Sequence, residues 1–250
     1  MSTAPVALAL DSPQSFEAHK LFTDAVAQAT SIGQMARFLK MYIEFNYPFA
    51  GGVLNLASAI HLNESWFQPG VAGAVTAGAS ASIIASHVLA AAEDEYATPS
   101  GERISHRYIA DRLLSSLPSG AASPALCQSD SAAIAEMRRR TDFGYGVNIS
   151  WDRYALGRSL GFHLASEYSG GIEFKILNEY LRPLADSSHL TDESLTWVSL
   201  HVSVEPEHFA MAREAVDLAL EHALGVEFDA IQAGAAAFYK LLAHFSAAAK

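Results

Sequence analysis

Apolar residues recur at intervals of three and four positions along most of the chain, and no alternating run of β-branched residues lies between turn signals. This spacing is typical of amphipathic helices and argues against strands. The sequence therefore predicts an all-α protein. Helix breakers and capping residues divide it into predicted helices at residues 15–30, 33–62, 70–97, 102–117, 130–142, 150–168, 172–184, 191–224 and 227–248.

The clearest loop is rich in serine, proline and glycine and covers residues 115–129. Composition does not change from one side of this loop to the other, and no repeat of about 20 to 50 residues is present. A chain of 250 residues is also short enough to share one core. We therefore predict a single domain over residues 1–250.

A charge-free segment from Pro69 to Ala92 is long enough to cross a bilayer as a helix. Because it consists mostly of small residues and has no basic flank, we predict a helix enclosed by other helices and no membrane partner. The formal net charge of −11 disfavours a nucleic-acid partner. The single cysteine, Cys127, cannot form an internal disulfide, and we expect a cytoplasmic protein.

The most informative motif lies on the predicted helix 191–224. His201, Glu205 and His208 are spaced i, i+4 and i+7, which places them on one helix face. Two imidazoles and a carboxylate that converge from one helix provide suitable donors for a metal ion, whereas an exposed polar face is the alternative interpretation. Pro206 lies between these residues, so we expect a kink or bulge there.

A second group of candidates flanks a predicted turn. Glu93 and Glu95 lie at the end of the predicted helix 70–97, and His106 lies at the start of the next helix. A tight turn would bring His106 to the same interior point as one of the carboxylates. The spacing does not decide between Glu93 and Glu95.

The predicted helices 150–168 and 172–184 contain the third group. Small residues around Glu167 indicate close packing, and a carboxylate in such a place must be paired, protonated or bound to a cation. Glu173 is the competing choice. His163 precedes Glu167 by one turn and is a hydrogen-bond partner for it or a residue of the substrate pocket.

In chain order these candidates resemble the heme-oxygenase-like di-iron oxidases and oxygenases, a family in the same superfamily as the thiaminase and PQQ-synthesis bundle proteins. That family has an acidic pair that closes one helix, a His after the next turn, a Glu on a middle helix and a His-x3-Asp/Glu-x2-His motif on a later helix. The resemblance covers residues 35–225 and implies a heme-oxygenase-like helical bundle. It also implies six metal ligands: Glu95, His106, Glu167, His201, Glu205 and His208.

The resemblance further implies the cofactor and the chemistry. Two iron ions in the Fe²⁺ state would react with O2, and an external reductant or electron donor would supply electrons. Family members oxygenate amines, or desaturate or cleave amino acids and fatty acids. We therefore expect a di-iron oxygenase that N-oxygenates a small amine or amino-acid-like metabolite in natural-product biosynthesis, with desaturation or C–C cleavage as the alternative.

For the substrate pocket we expect Glu44, Tyr47 and His163. The first two lie on a helix predicted to run antiparallel to the helix 70–97, at about the depth of Glu95. Glu44 would then be a spare carboxylate for a substrate ammonium group. The alternative is a solvated Glu44 beside an aromatic core.

Other functions of the same bundle would need other residues. A thiaminase-type hydrolase needs a cysteine nucleophile, and Cys127 falls in the predicted loop. A heme protein needs a proximal histidine near the N-terminus, for which His19 is the candidate. A metal-free ligand-binding module and a homodimer also stay open.

Overall fold

The computed structural model describes residues 10–96, 104–117, 126–188 and 190–250. Its regular structure in these ranges is helical, which confirms the all-α prediction; the single domain stays a prediction. Two short 3-10 helices, Glu64–Trp66 and Val71–Gly73, lie between the second and third α-helices. The α-helices are α1 (Pro13–Gln28), α2 (Ile32–Leu62), α3 (Ala77–Asp94), α4 (His106–Ser116), α5 (Gln128–Gly144), α6 (Arg153–Ser188), α7 (Thr196–His222) and α8 (Phe228–Ala248).

Several predicted helix ends differ from the structure, and two differences are the largest. The predicted helices 150–168 and 172–184 form one helix, α6, which continues through Gly170 and Gly171. Helix α3 begins at Ala77 instead of residue 70, because two glycines with φ angles of 131° and 80° turn the backbone before it. Within the described ranges, no helix is both long enough and apolar enough to cross a membrane.

Helix α6 packs most extensively against α7 and α8, and it also contacts α1, α2 and α5. Its backbone touches that of α8. A Cβ atom at Gly161 would collide with the backbone of Ile231, and one at Gly234 would collide with the backbone of Arg158. On the other side of the bundle, α3 lies between α2 and α7, and α4 contacts the same two helices.

An ion pair holds the first turn of α5 against α2 and α8. The carboxylate of Asp130 accepts hydrogen bonds from Nη2 and Nε of Arg37, at 2.6 and 3.2 Å, and from the backbone N–H of Cys127 at 3.0 Å. Arg37 also donates to the carbonyls of Ala248 and Ala249 at the end of α8. The hydrogen bond from Arg37 lowers the pKa of Asp130 below its ordinary value, although burial opposes this.

Candidate metal centre

Helix α7 presents His201, Glu205 and His208 on one buried face. We expected a kink or a bulge at Pro206; α7 is α-helical at every residue from Thr196 to His222, so it contains no bulge, and the i, i+4, i+7 face is preserved. Nδ1 of His201 lies 2.7 Å from the carbonyl oxygen of Trp197. Because a carbonyl only accepts, Nδ1 donates its proton there, and Nε2 of the neutral ring keeps a lone pair for a metal ion.

Glu95, His106 and His201 form the first group of candidate ligands. Each offers one ligand atom, and these atoms lie within 4.8 Å of one another. Oε1 of Glu95 is 3.4 Å from Nδ1 of His106 and 3.8 Å from Nε2 of His201. Burial raises the pKa of Glu95, but the two imidazoles outweigh it and hold this pKa at about 2. The competing residue, Glu93, is exposed.

Glu167, Glu205 and His208 form the second group, and their ligand atoms also lie within 4.8 Å of one another. All three side chains are buried. Oε2 of Glu167 is 3.7 Å from Nδ1 of His208. The two groups together contain the six side chains for which the sequence resemblance implies a metal-binding role.

His163 contacts the second group through Glu167. Its Nδ1 lies 3.3 Å from Oε1 of Glu167 and 3.3 Å from the hydroxyl of Tyr145, and the ring is 1% exposed. Burial raises the pKa of Glu167, but the imidazoles of His163 and His208 together outweigh it and lower this pKa below the ordinary value. His163 is not among the residues that line the cavity, and its contact with Glu167 favours the hydrogen-bond role.

The electrostatics of both groups fit a bound cation. The ring of His106 is 2% exposed, yet neither of its nitrogens makes a hydrogen bond within the described residues. Burial, together with the nearby carboxylates of Glu167 and Glu95, raises the pKa of Glu205 well above its ordinary value. A divalent cation would accept the imidazole lone pair and offset the repulsion between the carboxylates.

Both groups line one cavity of about 120 Å³. Its walls include the apolar side chains of Phe45, Phe174 and Trp197. Tyr47, which is 58% exposed, also lines the cavity and marks its opening to solvent. A cavity of about 150 Å³ holds a benzene-sized ligand, so the space here suits a compact substrate.

Glu44 is not the spare carboxylate that we expected. It accepts hydrogen bonds from Arg107, at 2.8 Å, and from Arg138, and the two guanidinium groups also lie over the ring of Tyr47. These arginines lower the pKa of Glu44, although burial opposes them. The carboxylate is already paired with cations of the chain itself, and Glu44 does not line the cavity.

The sequence alone assigned no role to two residues of the site, Gly170 and Tyr42, and named Glu173 only as the alternative to Glu167. Glu173 lines the cavity and accepts a hydrogen bond from the hydroxyl of Tyr42 at 2.7 Å. A Cβ atom at Gly170 would lie 2.7 Å from Oε2 of Glu205, so a glycine here allows that carboxylate its observed position. The spacing gave no signal for Tyr42, because 131 positions separate it from Glu173.

The residues of the rival functions lie elsewhere. Cys127 is exposed and does not line the cavity. Both ring nitrogens of His19 lie near serine hydroxyls, Nδ1 at 3.5 Å from Ser15 and Nε2 at 3.0 Å from Ser169. Neither residue is placed to act on a ligand in the cavity.

No protein-family model matches the sequence, and no curated protein matches it. Among solved structures, the chain is similar to the crystal structure of a CADD-like protein of unknown function from Nostoc punctiforme PCC 73102. The TM-score is 0.65, with 17% sequence identity, and the similarity covers 98% of this chain and 94% of that chain. The two chains share a helical fold.

Proposed function

We propose that this protein is a non-heme di-iron oxygenase that uses O2 to oxidise a small amine or amino-acid-like metabolite. The observation that carries the proposal is the convergence of two three-donor groups on one cavity, from α3, α4, α6 and α7. One group would hold each metal ion. The heme-oxygenase-like resemblance of the sequence motifs, which involves the same six residues, supports the same assignment.

The donor types favour iron. The first group has two imidazoles and one carboxylate, a set that binds Fe²⁺ in many oxygenases and leaves coordination positions open. The second group has two carboxylates and one imidazole, and helical bundles commonly hold iron pairs with such carboxylate-rich sets. Without a thiolate in either group, a structural zinc site is disfavoured.

Two bound ferrous ions supply the redox chemistry that reduces O2. The chain's own residues have three tasks. The bond from His201 to the carbonyl of Trp197 fixes the imidazole tautomer, and His163 orients the carboxylate of Glu167. Phe174 and Trp197 limit the access of water to the cavity.

N-oxygenation is the reaction we favour. Conversion of a primary amine to a hydroxylamine consumes one O2, two electrons and two protons and releases one water. The electrons would come from an external donor. Desaturation or C–C cleavage of an amino or fatty acid is the alternative outcome at the same centre.

Iron binding tests the centre directly. Anaerobic titration with Fe²⁺, followed by desalting and elemental analysis, should give two irons per chain. His201→Ala and His208→Ala should each remove at least one iron, whereas His61→Ala, at an exposed position outside both groups, should retain two. Wild-type protein that takes up no iron would refute the proposal.

Products of the reaction test the function. Iron-loaded protein, O2 and a reductant are incubated with a panel of small amines and amino acids and analysed by mass spectrometry. A product that carries one additional oxygen atom on its nitrogen, labelled from ¹⁸O2, supports N-oxygenation. Loss of two hydrogens or release of an alkene from an amino or fatty acid would replace N-oxygenation with the desaturase or lyase alternative.

A further inference from the structure

Glu173 is a buried carboxylate with one oxygen left without a partner. It lines the cavity and is 2% exposed. Oε2 accepts the hydrogen bond from Tyr42, whereas Oε1 has no hydrogen-bond partner within the described residues. Burial raises the pKa of Glu173 to about 8, and the bond from Tyr42 opposes this only in part. An ionised carboxylate in such surroundings needs a positive partner.

The helix geometry separates Glu173 from the candidate metal ligands. Six residues on α6 separate it from Glu167, which corresponds to about 9 Å along the axis and about 120° around it. Neither three-donor group includes Glu173. Its free oxygen therefore has no assigned partner in the candidate metal centre.

With two ferrous ions bound, the net charge of the centre would disfavour a cationic substrate in the absence of Glu173. Glu95, Glu167 and Glu205 bring three negative charges against the four positive charges of two ferrous ions. An ammonium group in the same cavity would meet a net positive charge of one. A fourth carboxylate, Glu173, would offset that charge once it gives up its proton, and its pKa of about 8 places that loss close to neutral pH.

The neighbouring walls suit the same kind of group. Phe174 and Trp197 line the cavity, and their rings pack edge to face with centroids 5.2 Å apart. Aromatic faces attract ammonium groups through their negative charge density. The cavity thus combines an unpartnered carboxylate oxygen with aromatic surface in one compact space.

We propose that Glu173 binds the ammonium group of a compact primary amine, with Phe174 and Trp197 as the adjoining walls. Glu173 thereby takes the role that the sequence suggested for Glu44. The inference rests on the proposed function for the oxidation that follows, but not for the binding step itself. Binding is therefore measurable without turnover.

The experiment compares three ligands of similar shape by isothermal titration calorimetry: n-butylammonium, 1-butanol and butyrate. Each is titrated into metal-free protein and into anaerobic iron-loaded protein. The test variant is Glu173→Gln, which keeps the shape and removes the charge. Glu179→Gln, at an exposed position on the same helix, is the matched control, and Glu44→Gln tests the earlier assignment.

We expect wild-type protein to bind butylammonium more tightly than butanol or butyrate. Glu173→Gln should weaken butylammonium binding at least about tenfold while butanol binding and iron content stay at wild-type values. Glu179→Gln and Glu44→Gln should bind butylammonium as the wild type does. In metal-free protein Glu95, Glu167 and Glu205 also offer negative charge, so Glu173→Gln should weaken butylammonium binding there in the same direction but by a smaller factor. That comparison needs no iron, which separates the inference from the proposed function.

Three results would overturn the inference. Undiminished butylammonium binding by Glu173→Gln would show that the carboxylate does not bind the cation. An equal loss of butylammonium and butanol would point to a change of cavity shape. Loss of an iron in Glu173→Gln would make Glu173 a metal ligand.

Discussion

Replacing Gly170 with alanine should weaken one candidate metal site and leave the fold intact. A Cβ atom at this position would lie 2.7 Å from Oε2 of Glu205 and 2.9 Å from its Cδ. To reach the 3.4 Å of an ordinary contact, the carboxylate must retreat by several times the ~0.2 Å within which metal–ligand distances normally vary. The end of the Glu205 side chain is flexible, so it moves more easily than the helix backbone.

Gly171 provides the matched control. A Cβ atom there would lie 3.7 Å from the Cβ atom of Glu205, which is an ordinary contact. Both substitutions replace a glycine within α6 by a residue of higher helix propensity, so each should raise the free energy of unfolding by about 0.5–1 kcal/mol. Thermal unfolding of metal-free Gly170→Ala and Gly171→Ala should therefore occur at or above the wild-type temperature.

The assay is the anaerobic Fe²⁺ titration, followed by elemental analysis. Gly170→Ala should retain one tightly bound iron and bind the second about 10- to 100-fold more weakly, the usual effect of disturbing the surroundings of a ligand. Gly171→Ala should bind both irons as the wild type does. Two irons at wild-type affinity in Gly170→Ala would refute the assignment of Glu205 as a ligand in the observed position.

Two other substitutions test the supporting interactions. His163→Phe should weaken the iron bound through Glu167 about 10- to 100-fold in the same titration and spare the other iron; equal affinities would show that His163 does not orient Glu167. Asp130→Asn should lower the free energy of unfolding by about 1–3 kcal/mol at neutral pH, because the ion pair with Arg37 is lost. The pKa of Asp130 is lower in the folded state than in the unfolded state. The loss of unfolding free energy in Asp130→Asn should therefore be complete above the unfolded pKa of about 3.9 and should disappear as the pH falls through the folded pKa. Urea unfolding measures this loss, and a loss that is constant with pH would contradict the pairing.

Local spacing was sufficient for the parts of the site that one helix carries. His201, Glu205 and His208 share a face because the i, i+4, i+7 rule depends only on helical geometry, and Pro206 does not interrupt it. The choice of Glu167 over Glu173 needed the resemblance, since two positions six residues apart point in different directions. The sequence alone left both Glu167 and Glu173 as candidates.

Long-range pairing explains the main error. Glu44 is paired with Arg107 and Arg138, which follow it by 63 and 94 positions, and no local pattern connects these residues. The predicted break in α6 at Gly170 and Gly171 was also wrong because of a long-range contact. Glycine usually signals a helix end, but here its missing side chain admits a carboxylate from another helix.

Helix α6 packs against α8 with one face and makes room for Glu205 of α7 on the opposite face. Gly161 allows close contact with α8, and Gly170 makes room for Glu205 of α7. Nine residues separate these glycines, which at about 100° per residue places them half a turn apart. The repulsion between buried carboxylates on the α7 side costs stability in the metal-free chain. If metal ions bind as proposed, they would stabilise the folded form and reduce that cost, while the contact with α8 stabilises the bundle with or without metal.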